Sequence, residues 1–244
     1  MKTISITAYN RPEYLRQTLA GLAAAGCKDW HLFASVEPSD KIEEIKKIFN
    51  EATGFASKNI TLNTKQKGHR KNQHDALAMA FDAGSTFNLH LDDDLFISPD
   101  ALALASFYKE RFSAKPLTCG SYGLFNYNSN AADAQNIIVR KGTFTGLGWC
   151  VFRENWQEIF SPLWFDDSYA KKVFSVITHG WDWNIHGYFR THGIYECFPA
   201  LSRTNHAGRE GGTCCSEAFY DTTFPQITIS NKNEETFIVE ERNE

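Results

Sequence analysis

The residues best suited to chemistry are three consecutive carboxylates, Asp92, Asp93 and Asp94, in the segment FNLHLDDDLFISPD at 87–100. Adjacent carboxylates repel one another, so a fold that gathers them must supply a compensating cation or leave them in water. A hard divalent ion such as Mg²⁺ or Mn²⁺ takes oxygen ligands, uses one or two carboxylates and leaves its other positions to water and phosphate oxygens. The triplet is therefore read as a Mn²⁺ or Mg²⁺ site; the competing reading is a solvated turn that caps the following helix. The apolar strand before it and the Ser98-Pro99-Asp100 helix start after it favour the ion, because ligands of open α/β sheets bind beyond the carboxyl ends of strands.

The elements that must position this turn follow from hydrophobic period. Thr3–Ala8 is short and β-branched, a buried strand, and Arg11-Pro12 then opens a helix with Leu15, Leu19 and Leu22 at helical spacing. His31–Val36 reads as a strand, followed by a charged helix with Ile42, Ile45, Ile48 and Phe49 on one face. Asn59–Leu62, Gln73–Ala83, Thr86–Leu91 and Pro99–Phe112 continue the alternation of strand and helix. That alternation predicts an α/β fold, a mostly parallel sheet flanked by helices. The second half reads differently. Residues 119–150 are rich in Gly, Asn, Ser and aromatics with a strand at Asn136–Val139, helices are expected near Arg153–Phe160 and Asp167–Ile177, and Thr204–Cys215 reads as a glycine-rich loop. We expect one domain over 1–244: a ligand-binding half at 1–100, an elaborated half at 101–225 and an acidic tail at 226–244.

Composition excludes several classes. The chain has 244 residues, 42% hydrophobic and 22% charged, which is ordinary for a folded domain. Net charge is −4, so there is no basic field to hold a nucleic-acid backbone. The six cysteines show no metal-ligand spacing, and free thiols in a reducing compartment are the simplest reading. No run of about 18 apolar residues occurs, so no transmembrane segment is expected, and with no signal-peptide pattern the expected location is cytoplasmic. Aromatics reach 14%, a surplus that suits stacking on sugars or bases, although most of these rings are expected in the core.

The opening ISITAYNRPEYLRQTL resembles that of inverting glycosyltransferases with the GT-A fold, and LHLDDDLFISPDAL resembles their acidic DxD metal motif. The Pro-Asp variant is most similar to the β-1,2-N-acetylglucosaminyltransferases, which include N-acetylglucosaminyltransferase I and the protein-O-mannose enzyme. TGLGWCVFRENWQEI at 145–159, the WDW at 181–183 and PALSRTNHAGREGG at 199–212 resemble later segments of that family, in the same order. The resemblance implies transfer of a sugar from a nucleotide-sugar donor, a UDP-sugar foremost, to a hydroxyl of a glycan or other acceptor. It implies Asp94 as direct metal ligand, Asp92 and Asp93 on ribose or metal-bound water, and Asp182 as general base with Asp166 and Asp167 in reserve. Tyr9, Arg11 and Glu37 are expected at the nucleoside, Arg70 and Asn72 facing the donor, and Gly146, Leu147, Gly148 and Trp149 lining the sugar pocket. Arg203 and His206 lie in the loop expected to close over the donor with Arg209, His206 as a further metal or phosphate contact. This chain lacks the family's membrane anchor and longer catalytic domain, which leaves donor and acceptor open. Three alternatives stay open: a sugar-nucleotide nucleotidyltransferase, a metal-dependent hydrolase and a non-catalytic sugar- or nucleotide-binding module. The first usually carries a Gly-rich basic phosphate loop after its first strand, and AYNRPEYL has none.

Overall fold

The computed structural model describes residues 1–175, 180–211 and 215–240. Its first half is the expected alternation: β1 (Lys2–Ala8), α1 (Pro12–Ala24), β2 (Trp30–Val36), α2 (Ile42–Glu51), β3 (Ser57–Leu62), α3 (His69–Asp82) and β4 (Phe87–Leu91). A short β5 (Leu95–Ile97) and α4 (Ala101–Phe112) follow the acidic turn. The second half contains β6 (Ser121–Gly123), β7 (Asn136–Lys141) and β8 (Trp149–Phe152), then α5 (Arg153–Asn155), a π-helical turn (Trp156–Phe160) and α6 (Ser161–Leu163) run together. The chain ends with α7 (Ser168–Phe174), α8 (Trp181–His192), β9 (Tyr195–Pro199), β10 (Thr204–His206), α9 (Glu217–Thr223) and β11 (Ile238–Val239).

Among the described residues, nine strands form one mixed sheet in the order β11-β7-β9-β6-β8-β4-β1-β2-β3. β3, β2, β1 and β4 are mutually parallel, so their carboxyl ends share one edge. β8 runs antiparallel to β4, with His90 opposite Trp149, and so brings the start of β8 to that same edge. The order reverses at β1: the chain runs on to β2 and β3 on one side of it and then returns to β4 on the other, and a crevice at such a reversal is where open α/β sheets bind ligands.

The sheet is held by burial of its β-branched and aliphatic strands, among them Ile4, Ile6, Leu32, Ala34, Leu89 and Leu91, against Leu15, Leu19 and Leu22 of α1. A second, aromatic cluster gathers Phe144, Trp149, Phe160, Trp164, Trp181 and Phe189 with Leu77 and Phe81 of α3. Trp164 and Trp181 stack with centroids 4.0 Å apart, and Trp149 stacks on Phe160 at 4.7 Å. This cluster seats the start of α8, which carries Asp182.

Three expectations change. The helix expected from Gln73 begins a turn earlier, after Gly68 at φ 82°. The expected loop at Thr204–Cys215 opens with a strand: Thr204, Asn205 and His206 pair antiparallel with Ile97, Phe96 and Leu95. Of the helix expected at Asp167–Ile177, Ser168–Phe174 is helical and residues 176 and 177 lie outside the described residues, as do 212–214 of the loop.

Candidate active site

The carboxyl ends of β1, β2, β3 and β4 deliver the side chains at the crevice. The acidic turn leaves β4 with Asp93 and Asp94 buried to 3% exposure each. The hydroxyl of Thr18 on α1 fixes its backbone, lying 2.9 Å from the Asp93 carbonyl oxygen and accepting the Leu95 N–H at 3.0 Å. Arg11, just past β1, bridges the turn: Nη2 donates to Asp93 Oδ1 at 2.6 Å, and Nη1 lies 2.6 Å from Asp94 Oδ2. Asp92 instead accepts from Gln73 Nε2 of α3 at 2.7 Å, and His69 Nε2, one helical turn earlier, is 4.0 Å from the same oxygen.

Burial raises the Asp92 carboxyl to about 7, helped by the neighbouring Asp94 charge. Asp93 is likewise raised to about 7, because desolvation outweighs the pull of Arg11. Three carboxylates against one guanidinium leave a deficit of positive charge, and Asp93 Oδ2 is buried without a hydrogen-bond partner. Among the described residues no three His, Cys, Asp or Glu side chains converge as a self-sufficient metal cage. The set fits a hard divalent ion that completes its shell with water and phosphate oxygens.

Across the crevice, Asp182 stands in the first turn of α8. Burial raises its carboxyl, against the pull of the helix-start amides, His69 and Arg70. A short bond from Trp181 Nε1 to Gln73 Oε1 joins this helix to α3, so the single amide of Gln73 ties Asp92 to the residue beside Asp182. Gly146 faces Asp182: a Cβ built there would lie 3.9 Å from the Asp182 Cβ. Burial, and after it the charge of Asp182, raises the hydroxyl of Tyr127, whose ring is exposed.

The third wall comes from the far end of the chain. Ala207 N donates to the Asp94 carbonyl oxygen at 2.7 Å, closing β10 onto the acidic turn. His206 Nε2 lies 3.8 Å from Asp94 Oδ2, while its Nδ1 accepts the Gly208 N–H at 2.9 Å. An imidazole that accepts at Nδ1 carries its proton on Nε2 when neutral, and burial lowers its pKa toward that form. The neutral His206 thus turns an N–H toward the Asp94 carboxylate, 3.8 Å away. A cleft of about 460 Å³ opens beside Arg11, lined by Asn10, Glu13, Tyr14, Glu210 and Gly211.

Several expected ligand contacts are spent inside the fold. Arg203 is fully buried, with Nε donating to Asp100 Oδ2 at 2.8 Å and its other nitrogens to the Leu201 and Ala134 carbonyls, so its donors are engaged within the fold. Asn72 is bonded to Ser35 and Asn63 beneath the sheet edge, because the earlier helix start turns it inward. Arg70 donates to the carbonyls of Trp164 and Asp166 and pairs with Asp167 at 3.0 Å, pinning the segment before α7. Asp166 accepts from Ser168 at the start of that helix. Glu37 accepts the Lys67 N–H through both oxygens at 3.0 Å, which leaves it holding the β3–α3 connection at the crevice rim. Trp149 is core. Gly148, at φ 79°, is required by packing, since a Cβ would lie 2.9 Å from Thr204 Cγ2. Arg209 is bound through two nitrogens to Asp221, at 2.8 and 2.9 Å, so the phosphate role expected for it is closed while that pair stands. Tyr9 is 39% exposed at the end of β1 and keeps its ring free at the crevice.

The residues that sequence reading passed over are His69 and Gln73, four apart on one face of α3 and both aimed at Asp92. A helix start at Gly68 would have put them in phase. Also passed over was Glu196 on β9, whose fully buried carboxyl is raised to about 7 by desolvation. Its Oε1 accepts from Thr145 N at 3.0 Å and Ser121 Oγ at 3.3 Å, holding the segment that presents Gly146.

Against known proteins, no family model and no curated protein matches this chain. Solved structures do. Residues 1–349 of S. aureus TarS with UDP-GlcNAc superpose with a TM-score of 0.56 at 12% identity, covering 91% of this chain and 64% of that one. The same protein with UDP gives 0.56 at 11%, covering 83% and 59%. The chain shares the fold of these structures, a mixed α/β arrangement with a large, mostly parallel central sheet and flanking helices. A mannosyltransferase of Pyrobaculum calidifontis, PcManGT, in complex with GDP-Man and Mn²⁺, is also similar, with a TM-score of 0.47 at 14% identity over 82% of this chain and 56% of that one. The chain thus spans about three-fifths of the length of these structures. The closer resemblance to the β-1,2-N-acetylglucosaminyltransferases finds no support in them. Among the described residues no helix is long and apolar enough to cross a membrane.

Proposed function

We propose that the chain is a metal-dependent glycosyltransferase that moves a sugar from a nucleotide-sugar donor, a UDP-sugar foremost, to an acceptor hydroxyl with inversion. The observation that carries this is the convergence, at one sheet edge, of the Asp92-Asp93-Asp94 turn, with Asp93 and Asp94 buried, and Asp182 across the crevice. Asp94 and Asp93 would hold the ion, which when bound supplies charge to stabilise a leaving nucleoside diphosphate. Tyr9 and the rim around Glu37 would face the nucleoside. The His206 Nε2–H, beside Asp94, is placed to donate to a phosphate oxygen.

Asp182 is the proton acceptor. An acceptor hydroxyl is a poor nucleophile until it begins to lose its proton, and a carboxylate whose pKa is raised by burial takes that proton more readily than a solvated one. The packed tryptophans beneath α8 fix its position, and Gly146 leaves space on its open side. Tyr127 and Trp183, both exposed, offer ring faces to an incoming sugar.

The test is Asp182→Asn, which keeps the shape and removes the proton acceptor. Transfer from a UDP-sugar in Mn²⁺ should fall by about 10²–10⁴-fold with donor affinity retained. Transfer near the wild-type rate removes Asp182 from this role. The anomeric coupling constant of the product, read by NMR, decides inversion: a retained configuration refutes a single displacement.

A further inference from the structure

The cation that now balances the acidic turn is a side chain of the protein itself. Arg11 sits with one nitrogen on Asp93 and the other on Asp94, the two carboxylates proposed to take the divalent ion. The two contacts are unequal. That with Asp93 is an aligned hydrogen bond, whereas Nη1 approaches Asp94 at 2.6 Å without hydrogen-bond alignment and is otherwise buried and unpartnered. The guanidinium also has somewhere to go. It lies 5.7 Å from the Tyr14 ring, and both residues line the cleft of about 460 Å³. Gly208 leaves room for the present position: a Cβ there would lie 2.1 Å from Asp94 Oδ2 and 2.9 Å from Arg11 Nη1.

We infer that Arg11 is a resident counter-ion that a divalent cation must displace from Asp94, its guanidinium turning toward the Tyr14 side of the cleft to meet the donor diphosphate. The inference rests on the nucleotide-sugar reading. Two cations cannot share one carboxylate oxygen without repulsion, so the ion alone meets a competitor already in place. A diphosphate alone meets three crowded carboxylates. Together the two ligands offset one another: the ion takes Asp94, and the freed guanidinium, a fork suited to paired phosphate oxygens, takes the diphosphate. The two ligands are then coupled through Arg11, and coupling of this kind is typically about 5–150-fold.

Calorimetric titration of the whole chain at fixed pH and ionic strength, with Mn²⁺ alone, UDP alone and UDP with Mn²⁺, tests it in wild type, Arg11→Gln and Arg11→Lys. Arg11→Gln should bind Mn²⁺ alone at least about tenfold more tightly than wild type, and the gain in Mn²⁺ affinity on adding UDP should shrink by a similar factor. Arg11→Lys keeps the charge but not the bridge and should fall between, which keeps the test decisive if Arg11→Gln fails to fold. A merely structural Arg11 predicts unchanged or weaker Mn²⁺ binding in both variants, and that result overturns the inference. If wild type binds no UDP even with Mn²⁺, the nucleotide-sugar reading fails instead, while the Mn²⁺-alone arm still decides the displacement.

Discussion

Glu196→Gln should make the protein more stable at high pH relative to wild type, and the size of the effect follows from where Glu196 lies. Its carboxyl is fully buried on β9, and desolvation raises it from 4.5 to about 7. A raised carboxylate is protonated in the native state where the unfolded chain is already ionised, so stability is lost as pH climbs from about 4.5 to about 7 and is level above. At 1.36 kcal/mol per pKa unit, ionising Glu196 in place costs about 3 kcal/mol, of which about 2 kcal/mol is lost between pH 5.5 and 8. Glutamine is neutral throughout and close in shape, and its amide oxygen can still accept the Thr145 N–H that Glu196 Oε1 accepts now. Titrations shared by both proteins, such as that of buried His90, whose pKa is lowered to about 3, cancel in the difference. Urea denaturation of both proteins at pH 5.5 and pH 8 measures it. The stability gap should move by about 2 kcal/mol in favour of Glu196→Gln, or roughly 4–8 °C in Tm. Parallel pH profiles would refute the reasoning.

Two further substitutions separate site from scaffold. Gly208→Ala meets no backbone strain but drives its Cβ into Asp94 and Arg11, so binding of UDP with Mn²⁺ should fall about tenfold or more while Tm moves by only a few degrees; unchanged binding would mean that the loop does not press on the acidic turn. Arg203→Met strands Asp100 as a buried unpaired charge and should cost about 3–5 kcal/mol in chemical denaturation; a variant of wild-type stability that has lost diphosphate binding would return Arg203 to a ligand role.

The parallel half of the fold was legible because β1, β2 and β4 are short β-branched or aliphatic runs and α1 and α2 show leucine or isoleucine at helical spacing. The place of the acidic turn was legible for the same reason: β4 ends in it, at the carboxyl edge of the parallel strands. α8 was not. WDWNIHGYFRTH carries aromatic rings, a mid-helix glycine and no aliphatic stripe, and it is helical because Trp181, Ile185 and Phe189 fit an aromatic cluster assembled from distant segments. β10 was hidden because three residues beside glycines carry no period, and their pairing with β5 is purely tertiary. Arg203 misled for a related reason: its partner Asp100 is far off in sequence, and an arginine before a glycine-rich loop looks like a phosphate ligand until the burial is seen. His69 and Gln73 were not legible, because only a helix starting at His69 puts the two on one face toward Asp92.

The pairing of β10 with β5 also sets a schedule for synthesis. The acidic turn leaves the ribosome with β4, whereas His206 and Gly208, which cover it, and Asp182, which faces it, come about a hundred residues later. At roughly 5–20 residues per second, that gap is about 5–20 s. Through it the nascent chain can assemble β1–β4 with Arg11 on the turn, but without the opposing wall. A chain made only that far can balance its own carboxylates before the helix that carries Asp182 and the strand that covers the turn exist, so the crevice gains its opposing walls only once residue 208 has been made.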